Sequence, residues 1–399
     1  MRQMPRFAML RLVTFVFALS SAAFAQTTWH VDVHAVPPGA GTVAQPYTSI
    51  QYAIARPTTL NNDIVLVAPG EYVENISTQG KSLSLVSSGG PLVTTIRSGQ
   101  VDVETVVLHG GFPLLQGFTV TGNTTSFLKG SIVVKGFGDA TIRRCIVRDN
   151  PTGNGILSQW IATVYNCTVT GNLIGIHATN FGGEAHPFSC IIEFNTTNSQ
   201  ADGAHFNIIG TGNPGFWSYD LRDFHLRPSS QAIDAGDPND PRDPDGSIAD
   251  VGAVVYDRNY IHGPRIYCAG KLNSQGCVPQ IGYTGVPSVS GGTFFVTAGL
   301  EIVNKPGLLL QSFASTALPF QGGTLCLQSP IKRLGAQNST GSGTCGGTYG
   351  FDMGAWIAQG HPGVVAGELL CVQWWSRDPL EPAGFGSGLS DALSFGLAP

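Results

Sequence analysis

The densest chemistry in the sequence lies between residues 234 and 250. There Asp234, Asp237, Asp240, Asp243, Asp245 and Asp250 place six carboxylates within 17 residues. Clustered hard oxygens suit Ca²⁺, which takes about six to eight of them, and like charges this close repel unless a cation or an arginine intervenes. The spacing lacks the bidentate Glu that ends an EF-hand loop, and Asp-Pro and Asp-Gly steps are also turn makers. Two readings follow: a turn-rich closing element, or the same element holding a structural Ca²⁺ through Asp237, Asp240, Asp243, Asp245 and Asp250. The eight cysteines are the second chemically capable set. Cys268 and Cys277, nine residues apart, read as a loop-closing disulfide, and Cys326 and Cys345 as a second across a Gly/Ser/Thr-rich stretch, leaving Cys371 over. There is no Cys-x-x-Cys pair, and no His stands at ligand spacing, which argues against zinc.

The other three cysteines belong to a repeat. Gln116–Asn123, Arg143–Asn150, Tyr165–Asn172 and Phe188–Asn195 align on a terminal Asn, with steps of 27, 22 and 23 residues. Five positions before each Asn stand Phe118, Cys145, Cys167 and Cys190; three before stand Val120, Val147, Val169 and Ile192. Between and after these apolar columns come Thr119, Ile146, Thr168 and Ile191, then Thr121, Arg148, Thr170 and Glu193, which are mixed or polar. Alternation with period two, kept in register at a step near 22 residues, predicts coils stacked so that equivalent side chains pile up about 4.8 Å apart. Cys145, Cys167 and Cys190 are then a buried stack of free thiols. Arg148 and Glu193 face outward two coils apart, roughly 10 Å.

The segments Cys145-Ile-Val-Arg-Asp-Asn, Cys167-Thr-Val-Thr-Gly-Asn and Cys190-Ile-Ile-Glu-Phe-Asn resemble the repeats of right-handed parallel β-helix proteins with the pectin-lyase fold. The likeness extends from about Trp29 to Tyr256. A short helix over Tyr47–Ile54 would cover the open end of the column, as a bare terminal coil exposes apolar side chains and strand edges. Asp63–Tyr72 and Lys81–Leu85 look like the first coils, and Phe224–Gly236 through Asp250–Ala253 like the closing segment. The resemblance implies that each Asn takes the turn after its strand, in a left-handed conformation and a stacked ladder.

The same resemblance raises two enzymatic chemistries. Lyases need an Arg or Lys base and a cation or basic group on the uronate carboxyl, and hydrolases need two carboxyls roughly 5–10 Å apart. The Arg-x-Pro-x-x-Arg motif of pectate lyases is absent, as are the paired-Asp and His-Gly motifs of polygalacturonases. Arg148, Glu193 and Trp160 are the residues offered to a sugar chain, with Trp217 and Tyr219 as further rings; His109, His177 and His205 are isolated. The reading is a non-catalytic extracellular polysaccharide-binding or display module. The alternatives are a lyase or glycosidase of unfamiliar type and a purely structural surface protein.

Composition agrees with an all-β chain. Its 399 residues include 52 Gly and 25 Pro, nearly a fifth of the whole, and only 12% are charged while 42% are hydrophobic, which suits short strands and turns rather than long helices or disorder. Arg2, Arg6 and Arg11, the apolar run Leu12–Leu19 and Ala23-Phe24-Ala25 have the layout of a cleaved export signal at 1–25. Its removal takes the formal charge from -5 to -8, a poor match for nucleic acid or anionic lipid. No other run reaches the roughly 18 apolar residues of a membrane span. The expected location is secreted or cell-surface. Residues 26–260 form the β-helix, and 261–399 a small β-sandwich with strands at Thr293–Ala298, Gly307–Phe313, Gly323–Gln328 and Leu369–Trp375. This second part resembles a C-terminal module of secreted proteins from planctomycete-like bacteria, except that the Cys before the final Pro in that pattern is here Ala398.

Overall fold

The computed structural model describes residues 26–179, 182–200 and 205–399; the export signal expected at 1–25 lies outside them. From Thr28 to Ile209 the chain winds as a right-handed parallel β-helix with three faces. Strands Thr28–Val31, Ile64–Val67, Ser84–Ser87, Leu114–Gln116, residues 139–143, Ile161–Tyr165 and Glu184–Phe188 make the first face. Gly70–Val73, Thr94–Arg97, Thr119–Thr121, residues 146–148 and 168–170, Ile191–Glu193 and Ile208–Ile209 make the second. The third runs from Ile76–Ser77 to Thr197–Gln200.

The columns stack as the repeat demands. Tyr72, Ile96, Val120, Val147, Val169 and Ile192 are partners from rung to rung and fully buried. Cys145, Cys167 and Cys190 are buried free thiols. The amide of Cys145 donates to the sulfur of Cys167 (3.5 Å), that of Cys167 to Cys190 (3.4 Å), and that of Cys190 to the side-chain oxygen of Asn207 (2.7 Å), which ends the row. Burial pushes the Cys167 thiol well up. The Asn ladder forms too: Asn150 N donates to Asn172 Oδ1 (3.2 Å) and Asn172 N to Asn195 Oδ1 (3.0 Å), with Asn150 and Asn172 buried and Asn195 partly so. The left-handed residue, however, is not the Asn but the one before it: Asp149, Gly171 and Phe194 have φ of 61°, 68° and 57°. Asn150 instead stays in extended backbone with its amide aimed inward, where it satisfies the carbonyls that the corner would orphan.

The helix forms at Ile50–Ala55. Ser49 caps it, and Glu74 from the coil below accepts from Ile50 N (3.0 Å) and Gln51 N (2.9 Å), meeting the free amides of its first turn. Ile50, Ala53 and Ile54 press onto the column end.

One column was misread. Ile146 and Ile191 face away from the coil interior yet are buried, because residues 216–256 return along the outside of the second face and pack Phe216, Phe224, Leu226, Ala232, Val251 and Ala253 over them. The closing segment thus lies beside the last coils. Asn166 donates to Asp250 O and Asp237 N donates to Ser189 Oγ.

Beyond it, beside a two-stranded sheet of Ser315–Phe320 with Gly323–Leu327, strands pair antiparallel in two larger sheets. One has the order Arg265–Tyr267, Ser387–Gly396, Leu369–Arg377, Pro306–Ser312, Lys332–Asn338, and the other Gln280–Gly285, Phe294–Glu301, Gly347–Asp352, Thr340–Gly341. They enclose Phe294, Leu309, Leu370, Val372, Trp374 and Phe395, which fits a β-sandwich. The disulfides are Cys268–Cys326 and Cys277–Cys345, not the short pairings expected from the sequence. Asn273 Oδ1 accepts from Gln275 N and Cys277 N, so the loop between Cys268 and Cys277 is closed by its own hydrogen bonds. Each cysteine is left to staple that loop to a distant element. Cys371 remains a free buried thiol, raised to about 12 by burial.

Candidate functional site

The uncovered half of the second face carries a polar groove along the coil axis. In register on its outside stand Arg97, Thr121 and Arg148, while Thr170, next in the column, is already buried. Glu71, one rung before Arg97, accepts from its Nε at 2.6 Å. Asp149 sits at the left-handed corner beyond Arg148, and its carboxylate takes Arg148 on one oxygen and, at 2.8 Å on the other, Arg222 of the closing hairpin, whose strands are Phe216–Ser218 and Asp223–Leu226. Two adjoining hollows share Asp149. One of about 360 Å³ is lined by Glu71, Arg97, Thr121, Asn123 and Arg148, and one of about 560 Å³ by Gly171, Tyr219, Asp220 and Arg222. Gly171 keeps the floor open: a Cβ there would stand 3.2 Å from Tyr219 Oη and 3.3 Å from Asp149 Oδ1, on a backbone that disfavours side chains. Tyr219 stacks on Phe194 with centroids 4.2 Å apart, presenting a ring at the groove's end.

Arg148 is thus where the repeat put it, but the other two residues offered to a sugar are not. Glu193 is 1% exposed and serves the fold: its carboxylate accepts from Thr211 N (2.5 Å), Thr211 Oγ1 (2.9 Å) and Gly212 N (3.2 Å), anchoring the chain as it turns out of the last coil. Trp160 stands at the corner between the third and first faces, edge-on to Phe137 at 4.7 Å. Trp217 is buried under Leu310, Leu369 and Cys371. Of the expected ring set only Tyr219 reaches the groove. Its end wall, Tyr219 to Arg222, comes from a hairpin whose return over the coils no local signal announces.

The acidic segment spends its carboxylates on its own turns. Asp243 accepts from Asp250 N (2.7 Å) and faces Arg144 (3.4 Å); Asp250 accepts from Asp234 N (2.8 Å) and Tyr256 N (2.6 Å). Asp245 accepts from Ser247 and lies 3.5 Å from Arg258, Asp237 accepts from Asn239, and Asp240 gives its amide to Asp237 O. Burial raises the Asp250 carboxyl, with the nearby Asp243 and Asp234 adding to the rise. Among the described residues no three His, Cys, Asp or Glu side chains converge as metal ligands. The donor set as folded fits Ca²⁺ poorly, since arginine and backbone amides hold both oxygens of Asp243, Asp245 and Asp250.

One constellation was missed. His262 Nδ1 lies 2.5 Å from Asp223 Oδ2 and its Nε2 3.1 Å from Ser394 Oγ, the order of a nucleophile, a base and an orienting acid. All three are sealed, with Ser394 and His262 fully buried. Asp223 also accepts from Tyr260 (2.7 Å) and contacts His225 (2.7 Å). Burial alone would raise Asp223, and these hydrogen bonds outweigh it and hold the carboxyl far below its usual range. A nucleophile that no substrate can touch is a joint, and this one ties the closing hairpin to strand Ser387–Gly396.

No family model matches the chain. A stretch of 157 residues, 39% of the chain, is 26% identical to a cell surface glycoprotein of Methanothermus fervidus and corresponds to 22% of that protein, so the match spans about a fifth of the relative. Among solved structures, pectin methylesterase from carrot aligns with 43% of this chain and 53% of its own at 16% identity and a TM-score of 0.30. Pectate lyase Pel9A aligns with 58% and 97% at 13% identity and the same TM-score. At that overlap neither neighbour assigns an activity, and the strand pairing itself establishes stacked parallel coils followed by antiparallel sheets.

Proposed function

We propose that the chain is an extracellular glycan-binding protein without catalytic activity, which takes an extended sugar chain along the groove from Glu71 to Tyr219. The observation that carries this is the row of paired guanidinium and carboxylate groups, Arg97 with Glu71 and Arg148 and Arg222 with Asp149, opening onto Tyr219. Side by side they offer donors and acceptors to vicinal hydroxyls, and the ring offers a face to an apolar side of a sugar.

The same pairing speaks against turnover. Glu71 and Asp149 are three rungs apart, roughly 14 Å by strand spacing, beyond the separation either class of glycosidase uses. Both oxygens of Asp149 are taken, Asp220 accepts from Ser315 Oγ (2.8 Å), and a guanidinium locked to a carboxylate is a poor base. The likeness to a cell surface glycoprotein and the two disulfides support an extracellular setting.

Calorimetric titration of the chain with a panel of soluble polysaccharides tests the reading, run beside assays for reducing ends and unsaturated products. Binding that Arg148→Ala weakens about tenfold with the fold intact, and no product over hours, is expected. Product formation that Asp149→Asn abolishes would overturn it in favour of an enzyme.

A further inference from the structure

Resting on that reading, we infer that the groove selects uncharged polysaccharides and discriminates against polyuronates. A polyanion needs a surplus of cations, and the groove has none: each arginine lining it is paired with a carboxylate and the charges of the lining balance. Arg97 is held by Glu71 at 2.6 Å, and Arg148 and Arg222 share Asp149. With Asp220 on the same wall the lining carries three guanidiniums and three carboxylates, a net of zero. No lysine or histidine lines either hollow.

A uronate entering this groove would have to share Arg97, Arg148 or Arg222 with Glu71 or Asp149 and would bring a second carboxylate to close range of the first, a repulsion that offsets the new pair. A neutral sugar disturbs nothing. One hydroxyl donates to a carboxylate oxygen while its neighbour accepts from the adjacent guanidinium, so the existing pair acts as a two-point reader of adjacent hydroxyls. The chain as a whole is acidic, with a formal charge of -5, and adds a long-range repulsion of polyanions. Selectivity in this groove therefore comes from the built-in carboxylates Glu71 and Asp149, which act as a charge filter.

The test compares xylan and a soluble β-glucan with polygalacturonate and alginate, by titration at about 20 and 200 mM salt, with EDTA present so that Ca²⁺ does not bridge carboxylates. The wild-type chain is expected to bind a neutral polymer with little salt dependence and the polyuronates at least about tenfold more weakly. The double variant Glu71→Gln/Asp149→Asn keeps the hydrogen-bonding shapes, and Asn tolerates the left-handed φ of position 149. It frees the three arginines and is expected to gain about tenfold for polygalacturonate at low salt, a gain lost at high salt. Circular dichroism and the melting profile report whether it folds; if it does not, Glu71→Gln alone carries the test through Arg97. Tighter polygalacturonate binding by the wild type would overturn the filter and leave the glycan-binding reading standing. Binding of neither class would overturn that reading, and the filter with it.

Discussion

The β-helix and the sandwich hold the same kind of apolar interior by opposite means. In the β-helix each coil rests on the one before, so Val120, Val147, Val169 and Ile192 or the asparagines 150, 172 and 195 are stabilised by copies of themselves one step along the axis. No crosslink is present there among the described residues, and its three cysteines stay reduced inside the wall. In the sandwich the partners are distant and unlike, and two disulfides spanning 58 and 68 residues fasten them. Buried charge is met differently as well. The sandwich encloses the ion pair Lys271–Glu381 at 3.0 Å and the carboxyl of Glu301, whereas the carboxylates that the β-helix buries, Asp63 and Glu193, accept from backbone amides of the chain that packs against its coils. Repetition lets every polar corner be satisfied by the same device, while a fold closed by singular contacts has to solve each buried group separately.

The largest expected effect tests the staples. Cys277→Ser with Cys345→Ser opens a 68-residue loop, and loop-closure entropy puts the loss at about 4 kcal/mol. Calorimetry should show the sandwich melting early and the β-helix transition where it was. A joint collapse of both would mean that the two regions do not differ as described.

Next is Glu301. Burial, with Asp378 nearby, raises its carboxyl to about 7 from an unfolded value of 4.5, and Ser376 Oγ donates to it at 2.9 Å. Because the folded value lies above the unfolded one, the fold favours the protonated form. That contribution is complete below pH 4.5 and is lost as pH rises through about 7, in all about 3 kcal/mol. Glu301→Gln should remove the slope, so that urea midpoints of variant and wild type agree near pH 4 and the variant is the more stable near pH 8.

For the β-helix, Asn172→Ala should cost about 2 kcal/mol. It leaves Asn150 N without its acceptor and the carbonyls of Val147 and Thr170 without their donor, all buried. Amide hydrogen exchange should show the loss spreading to the neighbouring rungs and leaving the sandwich unchanged.

The smallest effect belongs to the groove. Asp149→Asn severs half-exposed ion pairs to Arg148 and Arg222 and should shift stability by less than about 1 kcal/mol. A larger loss would make Asp149 a structural residue of the corner and remove the basis for reading it as part of a binding surface.

The legible parts were those carried by translation along the axis. Cys145, Cys167 and Cys190 share a row because residues at one repeat offset must stack, and the helix at Ile50–Ala55 is placed by the need to close the apolar end. Arg148 was found for the same reason. Glu193 sits at the same offset and was misassigned, since repetition fixes a residue's direction and says nothing of what later packs over it. Ile146 and Ile191 were the available sign of that cover: two isoleucines in an outward column are poor surface residues. The meeting of Asp223, His262 and Ser394 left no trace at all, being drawn from positions 39 and 132 residues apart.

By itself the sequence determined the β-helix and its inward columns, because both follow from short-range alternation repeated at a nearly constant step, and the amide ladder came with the resemblance of those repeats. Tertiary structure alone decided which half of the second face is open, how the four sandwich cysteines pair, and that the groove's charges are matched. Those depend on where a non-repeating chain returns, and such contacts are set by the packing of unlike surfaces that no local period encodes.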